Sequence, residues 1–187
     1  FKGGIGTASR VAAGGGHVVG VLVQANHGRR ERLRVDGVPV GEQIPASEVP
    51  LPGASGAPAG AGSIIVVVAT DAPLLPHQCT RLAQRAGLGV ARAGGVGEHS
   101  SGDLFIAFAT GNHNFAAGQP AAARASASVT VLDDAHITPL FDAVVEATEE
   151  AILNALLAAE TMTGRDGITA HALEPDRLLA ALGGAAA

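Results

Sequence analysis

The feature that most constrains this chain is a stretch of small residues that runs directly into its most apolar segment. Pro, Gly, Ala and Ser dominate residues 45–62. Such a composition cannot bury enough surface to order itself, so we predict a flexible linker there. At Ser63 the sequence changes at once, and Ile-Ile-Val-Val-Val-Ala at residues 64–69 is typical of a buried strand. Linkers usually join domains, but the residues before this one are too few for a complete domain.

The remaining chain predicts a mixture of strands and helices. Three further runs rich in β-branched residues predict strands at residues 18–26, 104–110 and 126–132. Helices are predicted at residues 73–93, from Thr138 onward, and at 176–182. For the second helix we expect Thr138 as the N-cap and Pro139 in the first position. Strands therefore alternate with helices, which indicates an α/β fold in mixed layers.

Two glycine-containing segments predict turns instead. Residues 1–16 are rich in glycine and predict turns lying close to other backbone. Asp36-Gly37, between alternating apolar and polar residues, predicts a hairpin. The glycines at 14–16 also raise the idea of a phosphate cradle, but they precede a strand rather than follow one, which weakens it.

Composition excludes several classes of partner. The net charge of −5 and the scarcity of aromatic residues argue against nucleic acid. No apolar run approaches the roughly 20 residues of a membrane helix. The single cysteine, Cys79, excludes an internal disulfide. The seven histidines lack the spacing of metal ligands, so we predict no metal site. We expect the natural N-terminus to lie before Phe1. We predict that the protein is located in the cytoplasm, with the periplasm as the alternative location.

Gly62-Ser63 fits intramolecular cleavage. The serine hydroxyl can attack the carbonyl before it, since Gly62 has no side chain to block the approach. Hydrolysis of the resulting ester frees an N-terminal serine, whose α-amine has an unperturbed pKa of about 7.7–8.0 and can act as the base. One residue then supplies both nucleophile and base. The same pair also fits an ordinary loop end before a strand.

Two other polar sites lie at strand ends. Residues 98–103, Glu-His-Ser-Ser-Gly-Asp, precede a predicted strand, and the hydroxyls and the Asp103 carboxylate can orient a nucleophile or hold a substrate amine. A polar turn would look the same, and nothing pairs His99 with Ser63. Asn26 ends another strand, where its side-chain amide can donate to an oxyanion; Asn-His-Gly is also an ordinary turn.

Taken together, these segments resemble one family, the L-aminopeptidase/D-alanine-esterase-amidase proteins with the β-peptidyl aminopeptidases. The matching segments run in family order: FKGGIGTASR at 1–10, GVLVQANHG at 20–28, GSIIVVVATDAPL at 62–74, SGDLFIAF at 101–108 and TGRDG at 163–167. The resemblance implies a self-cleaving serine aminopeptidase that removes N-terminal residues from short peptides, amides or esters through an acyl-enzyme on Ser63, without a cofactor.

The resemblance also implies an architecture. The family fold is an αββα sandwich, incomplete here because its N-terminal half is missing; that half includes an aromatic hydroxyl, and this chain has no Tyr. Residues 1–62 would be the tail of the α chain and residues 63–187 the β chain, together part of one domain. Ser101 and Asp103 match positions that assist Ser63, with Glu at the latter in some relatives, and Asn26 matches the oxyanion donor. Assembly of several α/β pairs into a homo-oligomer is implied as well.

Two alternatives remain open. Ornithine acetyltransferases also self-cleave on a related fold, but they use threonine, whereas position 63 is serine. The other is a catalytically inert fragment or homologue that folds only with its partner chain.

Overall fold

A computed structural model describes residues 1–53, 62–113 and 126–183 of the chain. Its centre is a four-stranded sheet in the order β1-β2-β3-β4. The strands are β1 (Gly4–Val11), β2 (Val18–Asn26), β3 (Ser63–Thr70) and β4 (Leu104–Ala109). β2 pairs antiparallel with both β1 and β3, and β4 pairs parallel with β3. The strands predicted at 18–26, after Ser63 and at 104–110 are confirmed to within a residue.

The helices are α1 (Val40–Gln43), α2 (Pro76–Arg92), α3 (Thr138–Leu157) and α4 (Pro175–Gly183). α2 forms the crossover between the parallel strands β3 and β4, as parallel pairing requires. A short ribbon of β5 (Met162–Thr163) and β6 (Thr169–Ala170) follows α3. The predicted helices are therefore present, but the one predicted at 73–93 begins three residues later and the last one begins one residue earlier.

Helices α2 and α3 cover one face of the sheet. Alternate strand residues point into this layer, as the period of two requires, among them Val19, Val23, Ile64, Val66 and Val68, all fully buried. The opposite face, which we call the open face, carries Ile5, Leu22, Ile65, Ile106 and Phe108, all at least 40% exposed. The described residues thus form one helix layer and one sheet layer, the α/β class predicted and two of the layers of an αββα sandwich.

The prediction of turns at residues 1–16 is wrong for β1. Residues 4–11 form a full strand, paired with β2 along its length. The glycines of this segment have another explanation, because the backbone of α3 packs directly on β1. A Cβ on Gly6 would collide with the Ala151 carbonyl oxygen and lie 2.5 Å from the Ala155 nitrogen. Only glycine at this point lets the helix backbone rest on the strand.

Two predictions near α3 are also wrong. Residues 126–132 form no strand; their polar groups bond to loops instead, with Thr130 N–H donating to Asn112 Oδ1 and Leu132 N–H to the Pro73 carbonyl. Thr138 is not the N-cap, because Ile137 holds that position and no side chain caps the helix. A turn of 3₁₀ helix at Asp134–His136 leads into α3, so Thr138 is already helical.

A second, smaller core packs residues 33–49 against α4. Val40, Ile44 and Val49 are buried with Leu173 and Leu178. Val35 and Val38 exchange backbone hydrogen bonds, and positive φ at Asp36 and Gly37 gives the tight turn predicted there, without longer strands. The start of the predicted linker 45–62 is also packed, through Val49. Residues 54–61 of that linker lie outside the described residues.

Candidate active site

The predicted site residues meet at one edge of the sheet. Asn26 ends β2 directly opposite Ser63, which begins β3. Side chains of opposite residues in an antiparallel pair project to the same face, here the open face. β4 begins beside Ile65, so Asp103 precedes it at this same edge. Strand pairing alone therefore brings together residues that are 37 positions or more apart in sequence.

The Ser63 hydroxyl is held by a backbone amide. The Gly102 N–H donates to Ser63 Oγ at 3.0 Å. A Cβ on Gly102 would lie 3.3 Å from this oxygen, closer than most such contacts, so glycine suits the approach. Because the amide donates, the hydroxyl proton of Ser63 remains available to a base.

Asp103 connects the neighbouring loop to β3. Its Oδ1 accepts from Ser101 Oγ at 2.5 Å and from the Ile64 N–H at 3.3 Å. Ser101 donates to Asp103, and no hydrogen bond joins Ser101 to Ser63 among the described residues. The carboxylate is thus fixed beside the backbone that follows Ser63, and the short Asp side chain reaches both partners.

The backbone of Gly62 packs closely against the backbone at the end of β2. A Cβ at this position would collide with the Asn26 carbonyl oxygen and lie 3.2 Å from His27 Cα. The peptide between Gly62 and Ser63 therefore follows a path that a larger residue would displace. Sequence reasoning explained this glycine by access to its carbonyl, and the structure adds the backbone of β2 as the group that needs the space.

The Asn26 side chain is exposed on the open face, and no described residue hydrogen-bonds to it. Its amide is therefore free to donate to a ligand. The structure places the residue beside Ser63 and assigns it no fixed partner.

His27 is a residue that sequence reasoning did not single out. The imidazole is half-buried, and its Nδ1 is shielded from solvent without a hydrogen-bond partner. A Cβ on Gly95, in the turn after α2, would lie 3.2 Å from His27 Cδ2, so the ring packs on that turn. Burial lowers the pKa of His27 from its ordinary 6.5, and the nearby Asp103 carboxylate opposes this shift. The Asn-His-Gly pattern carries no signal for such burial.

A pocket of about 340 Å³ lies beyond Asn26 and His27, lined also by Arg29, Arg30 and Leu51. Arg29 forms an ion pair with Glu98 at 2.5 Å. Glu98, the first residue of the polar segment 98–103, therefore holds the arginine of the pocket wall. Arg30 stacks on the Phe1 ring at 4.3 Å and donates to the Val49 carbonyl oxygen.

Other candidates lie apart from this edge. Across residues 1–53, 62–113 and 126–183, no group of three or more His, Cys, Asp or Glu is placed to hold a metal ion. His113 Nδ1 lies 2.8 Å from the Thr110 carbonyl oxygen. Burial raises the pKa of the Cys79 thiol, which favours its neutral form. No helix in the described part of the chain is long and apolar enough to span a bilayer.

Both the sequence and the fold of this chain match known proteins. Residues 1–170 match peptidase family S58. The β-peptidyl aminopeptidase BapA of Sphingosinicella microcystinivorans is 46% identical over 192 residues, covering 97% of this chain and 48% of that protein. A β-aminopeptidase of Burkholderia sp. superposes with a TM-score of 0.84 and 51% identity, over 98% of this chain and 50% of the other.

A third similar structure is an L-aminopeptidase D-Ala-esterase/amidase from Ochrobactrum anthropi. It superposes with a TM-score of 0.81 and 43% identity, over 100% of this chain and 49% of that one. That protein is described as a prototype for the serine aminopeptidases and a new variant among the Ntn hydrolase fold. The present chain spans about half the length of the relatives it matches.

Proposed function

The chain belongs to peptidase family S58, and from this premise we propose that it is the C-terminal half of a self-cleaving serine aminopeptidase with Ser63 as its nucleophile. One arrangement carries the proposal. Gly62 lies flat against β2, Ser63 Oγ accepts from Gly102, and Asp103 with Ser101 flanks the next peptide. A scissile bond, a nucleophile and a carboxylate therefore share one edge.

Self-cleavage begins with attack of Ser63 Oγ on the Gly62 carbonyl carbon. The C–N bond to Ser63 breaks, the acyl group moves to the oxygen, and the nitrogen becomes a free amine. Water then hydrolyses the ester, which leaves a carboxylate on Gly62 and restores the hydroxyl. The close packing of Gly62 on the end of β2 restricts the path of the peptide before Ser63, which would make the attack a positioned intramolecular step.

Turnover reuses the same hydroxyl. The freed α-amine of Ser63 takes the Oγ proton, and Oγ attacks the carbonyl of the substrate's N-terminal residue. The leaving amine departs with a proton, and water releases the acyl group. Asn26 is suited to donate to the oxyanion, since its amide is exposed on the same face as Ser63. Asp103 and Ser101 orient the amine and the hydroxyl. The substrates we propose are short peptides, amides or esters with a free amino end.

The missing half of the parent protein is the partner we propose for the open face. Large apolar side chains on one sheet face mark a surface that another layer covers. The relatives are about twice as long, which provides the chain for a second sheet and helix layer. A homo-oligomer of α/β pairs and a cytoplasmic location remain proposals drawn from the resemblance.

Neither alternative is favoured. The match to a peptidase family and the serine at position 63 both speak against an ornithine acetyltransferase. The experiment described next distinguishes an inert fragment or homologue from an active enzyme.

The deciding experiment is intact-mass spectrometry of the full-length parent beside Ser63→Ala and a control, Ser128→Ala, in an exposed segment away from the site. We expect two chains divided between Gly62 and Ser63 in the wild type and the control, and one uncut chain in Ser63→Ala. The purified wild type should release N-terminal residues from short peptides, and Ser63→Ala should not. A folded but uncut parent would refute the proposal in favour of an inert relative.

A further inference from the structure

The main-chain N–H of Gly102 contacts the oxygen on which each step of the proposed reaction takes place. It donates to Ser63 Oγ at 3.0 Å while the peptide between Gly62 and Ser63 is still intact. This hydrogen bond is therefore present before self-cleavage begins. The proposed mechanism gives the donor no task of its own.

The segment that carries this N–H is held in place on both sides. Before it, the Ser101 N–H donates to the Glu98 carbonyl oxygen at 2.8 Å, and Ser101 Oγ donates to Asp103 Oδ1 at 2.5 Å. After it, Asp103 Oδ1 also accepts from the Ile64 N–H at 3.3 Å, which attaches the segment to β3. A donor fixed in this way needs no rearrangement when charge develops on its acceptor.

Glycine at position 102 also leaves room for an acyl group on Ser63 Oγ. A Cβ at this position would lie 3.3 Å from the oxygen, which is tighter than an ordinary Cβ contact. Acylation adds a carbonyl carbon and its substituents to the same oxygen, so a side chain here would crowd the ester. The absence of a side chain therefore lets the N–H stay in contact with Oγ in the acylated form.

The charge on Oγ differs between formation and breakdown of the ester. During attack, Oγ gives an electron pair to the carbonyl carbon, so a donor on Oγ contributes little to this step. During hydrolysis, water adds to the carbonyl carbon and gives a proton to the Ser63 amine. The C–Oγ bond then breaks, its electron pair goes to Oγ, and the Ser63 ammonium returns a proton to this oxygen. Negative charge therefore develops on Oγ in the second step, where a fixed donor is most effective.

We propose that the Gly102 N–H is a catalytic donor that stabilises Ser63 Oγ as the leaving group when its ester is hydrolysed. This inference rests on the proposed function of Ser63. The same hydrogen bond serves two esters, the one formed from Gly62 during self-cleavage and the acyl-enzyme of each turnover. Loss of the N–H should slow the breakdown of both esters and affect their formation less.

The first test replaces Gly102 by glycolic acid in the full-length parent, which turns the N–H into an ester oxygen of similar shape. The processed enzyme is mixed with the methyl ester of a small amino acid, and acylation of the chain that begins at Ser63 is followed by rapid quench and intact mass. Deacylation should slow by about 10²–10³, the usual cost of one lost donor, so that acyl-enzyme accumulates. Acylation should slow by less than about tenfold.

The matched control is the same replacement at Gly164, whose N–H donates to the Ile168 carbonyl oxygen at 2.8 Å in the ribbon of β5 and β6. This control also loses one backbone hydrogen bond, but none to a reacting atom, and should deacylate like the wild type. Equal slowing of acylation and deacylation by the replacement at Gly102 would indicate a structural role and overturn the proposal. An unchanged deacylation rate would overturn it as well.

A second variant covers the case in which the glycolic acid replacement blocks self-cleavage. Gly102→Pro removes the same N–H without adding an ester to the backbone, and should stall the parent as the ester between Gly62 and Ser63 Oγ. Hydroxylamine at neutral pH attacks esters and spares peptide bonds, so it should split the stalled protein at this point. Gly102→Pro combined with Ser63→Ala has no oxygen to acylate and should stay whole.

Two results with Gly102→Pro would refute the proposal. One is self-cleavage at the wild-type rate, and the other is a folded, uncut protein that resists hydroxylamine, because the ester would then not have formed. Failure of the proposed function looks different, since the wild-type parent would neither cleave between Gly62 and Ser63 nor hydrolyse the ester substrate.

Discussion

The two faces of the central sheet differ in what their side chains do. On the helix-covered face, Ile64 and Val66 are fully buried against α2 and α3. On the open face, Ile65 remains 40% exposed although it is adjacent in sequence to Ile64. Ser63 and Asn26 belong to the open face. One strand thus buries one set of alternate residues and places the other set, which begins with the proposed nucleophile Ser63, on the open face.

This difference is the reason why we propose that further chain completes the site. The covered face is complete in itself, since strand and helix side chains bury each other. The open face combines Ser63, the proposed nucleophile, with exposed apolar side chains, so a layer that covers the apolar part would also form a wall of the proposed site. Changes on the two faces should therefore have different consequences, as follows.

The largest effect is expected from Asp103→Asn, at the edge of the open face. The amide loses the charge that orients Ser101 and the Ser63 amine, and kcat/KM should fall by about 10²–10⁴. Asp103→Glu retains the carboxylate and should keep activity within about tenfold. The measurement is steady-state hydrolysis of a short peptide by the processed enzyme. Unchanged kinetics in Asp103→Asn would remove this residue from the mechanism.

The next effect contrasts neighbouring residues on the two faces. Ile64→Ala should lower the free energy of unfolding of the parent by about 2–5 kcal/mol, because it opens a cavity under α2 and α3. If the missing half covers the open face, Ile65→Ala should cost a similar amount. Chemical denaturation of both variants provides the values. A cost below about 0.5 kcal/mol for Ile65→Ala, typical of surface positions, would show that the open face stays uncovered in the parent.

A third effect concerns the scissile peptide. Gly62→Ala places a methyl group against the Asn26 carbonyl and should slow self-cleavage by about 10², the cost of misplacing reacting atoms by about 1 Å. The control is Gly183→Ala, where an added Cβ meets nothing within 4 Å. Cleavage is followed by gel or mass spectrometry after synthesis. Equal rates of self-cleavage in the two variants would mean that the close contact between Gly62 and Asn26 is not needed for cleavage.

The smallest effect lies beside the covered face, at the start of α3. Hydrogen bonding from buried Gln78 is the main cause that lowers the pKa of Asp134, and Arg81 adds to it. A lowered carboxyl pKa contributes stability above its unfolded value, and this is lost as the pH falls below about 4. Asp134→Asn should flatten the fall of Tm with acid without altering catalysis. An identical acid dependence in the variant would contradict this.

The apolar strands were predictable because burial dictates their composition. β2, β3 and the parallel β4 consist largely of aliphatic residues, so their runs identify them. β1 was missed because its inward positions include Gly6 and Ala8, chosen for the close approach of α3 rather than for strand propensity. Residues 126–132 show the opposite case, since β-branched residues there meet loops instead of a partner strand. In both cases the deciding contact is distant in sequence.

The site was only partly predictable. Gly62, Ser63 and the segment ending in Asp103 were identified by resemblance, while pattern alone left each of them compatible with a turn. Register explains the remainder: Asn26 lies beside Ser63 because β2 and β3 pair at those residues. His27 had no signal, because its burial depends on Gly95 at the end of α2, a contact that no local pattern records.

If the proposed self-cleavage takes place, the close packing of Gly62 against β2 also has a consequence for the cleaved enzyme. In that mechanism, the place that the Gly62 carbonyl occupies before the cut is the place that a substrate's carbonyl must reach afterwards. If the new chain end stays in its seat, it competes with every incoming substrate as a tethered product inhibitor. Full activity would then depend on how readily this tail departs, so maturation would comprise two events, bond breakage and then release.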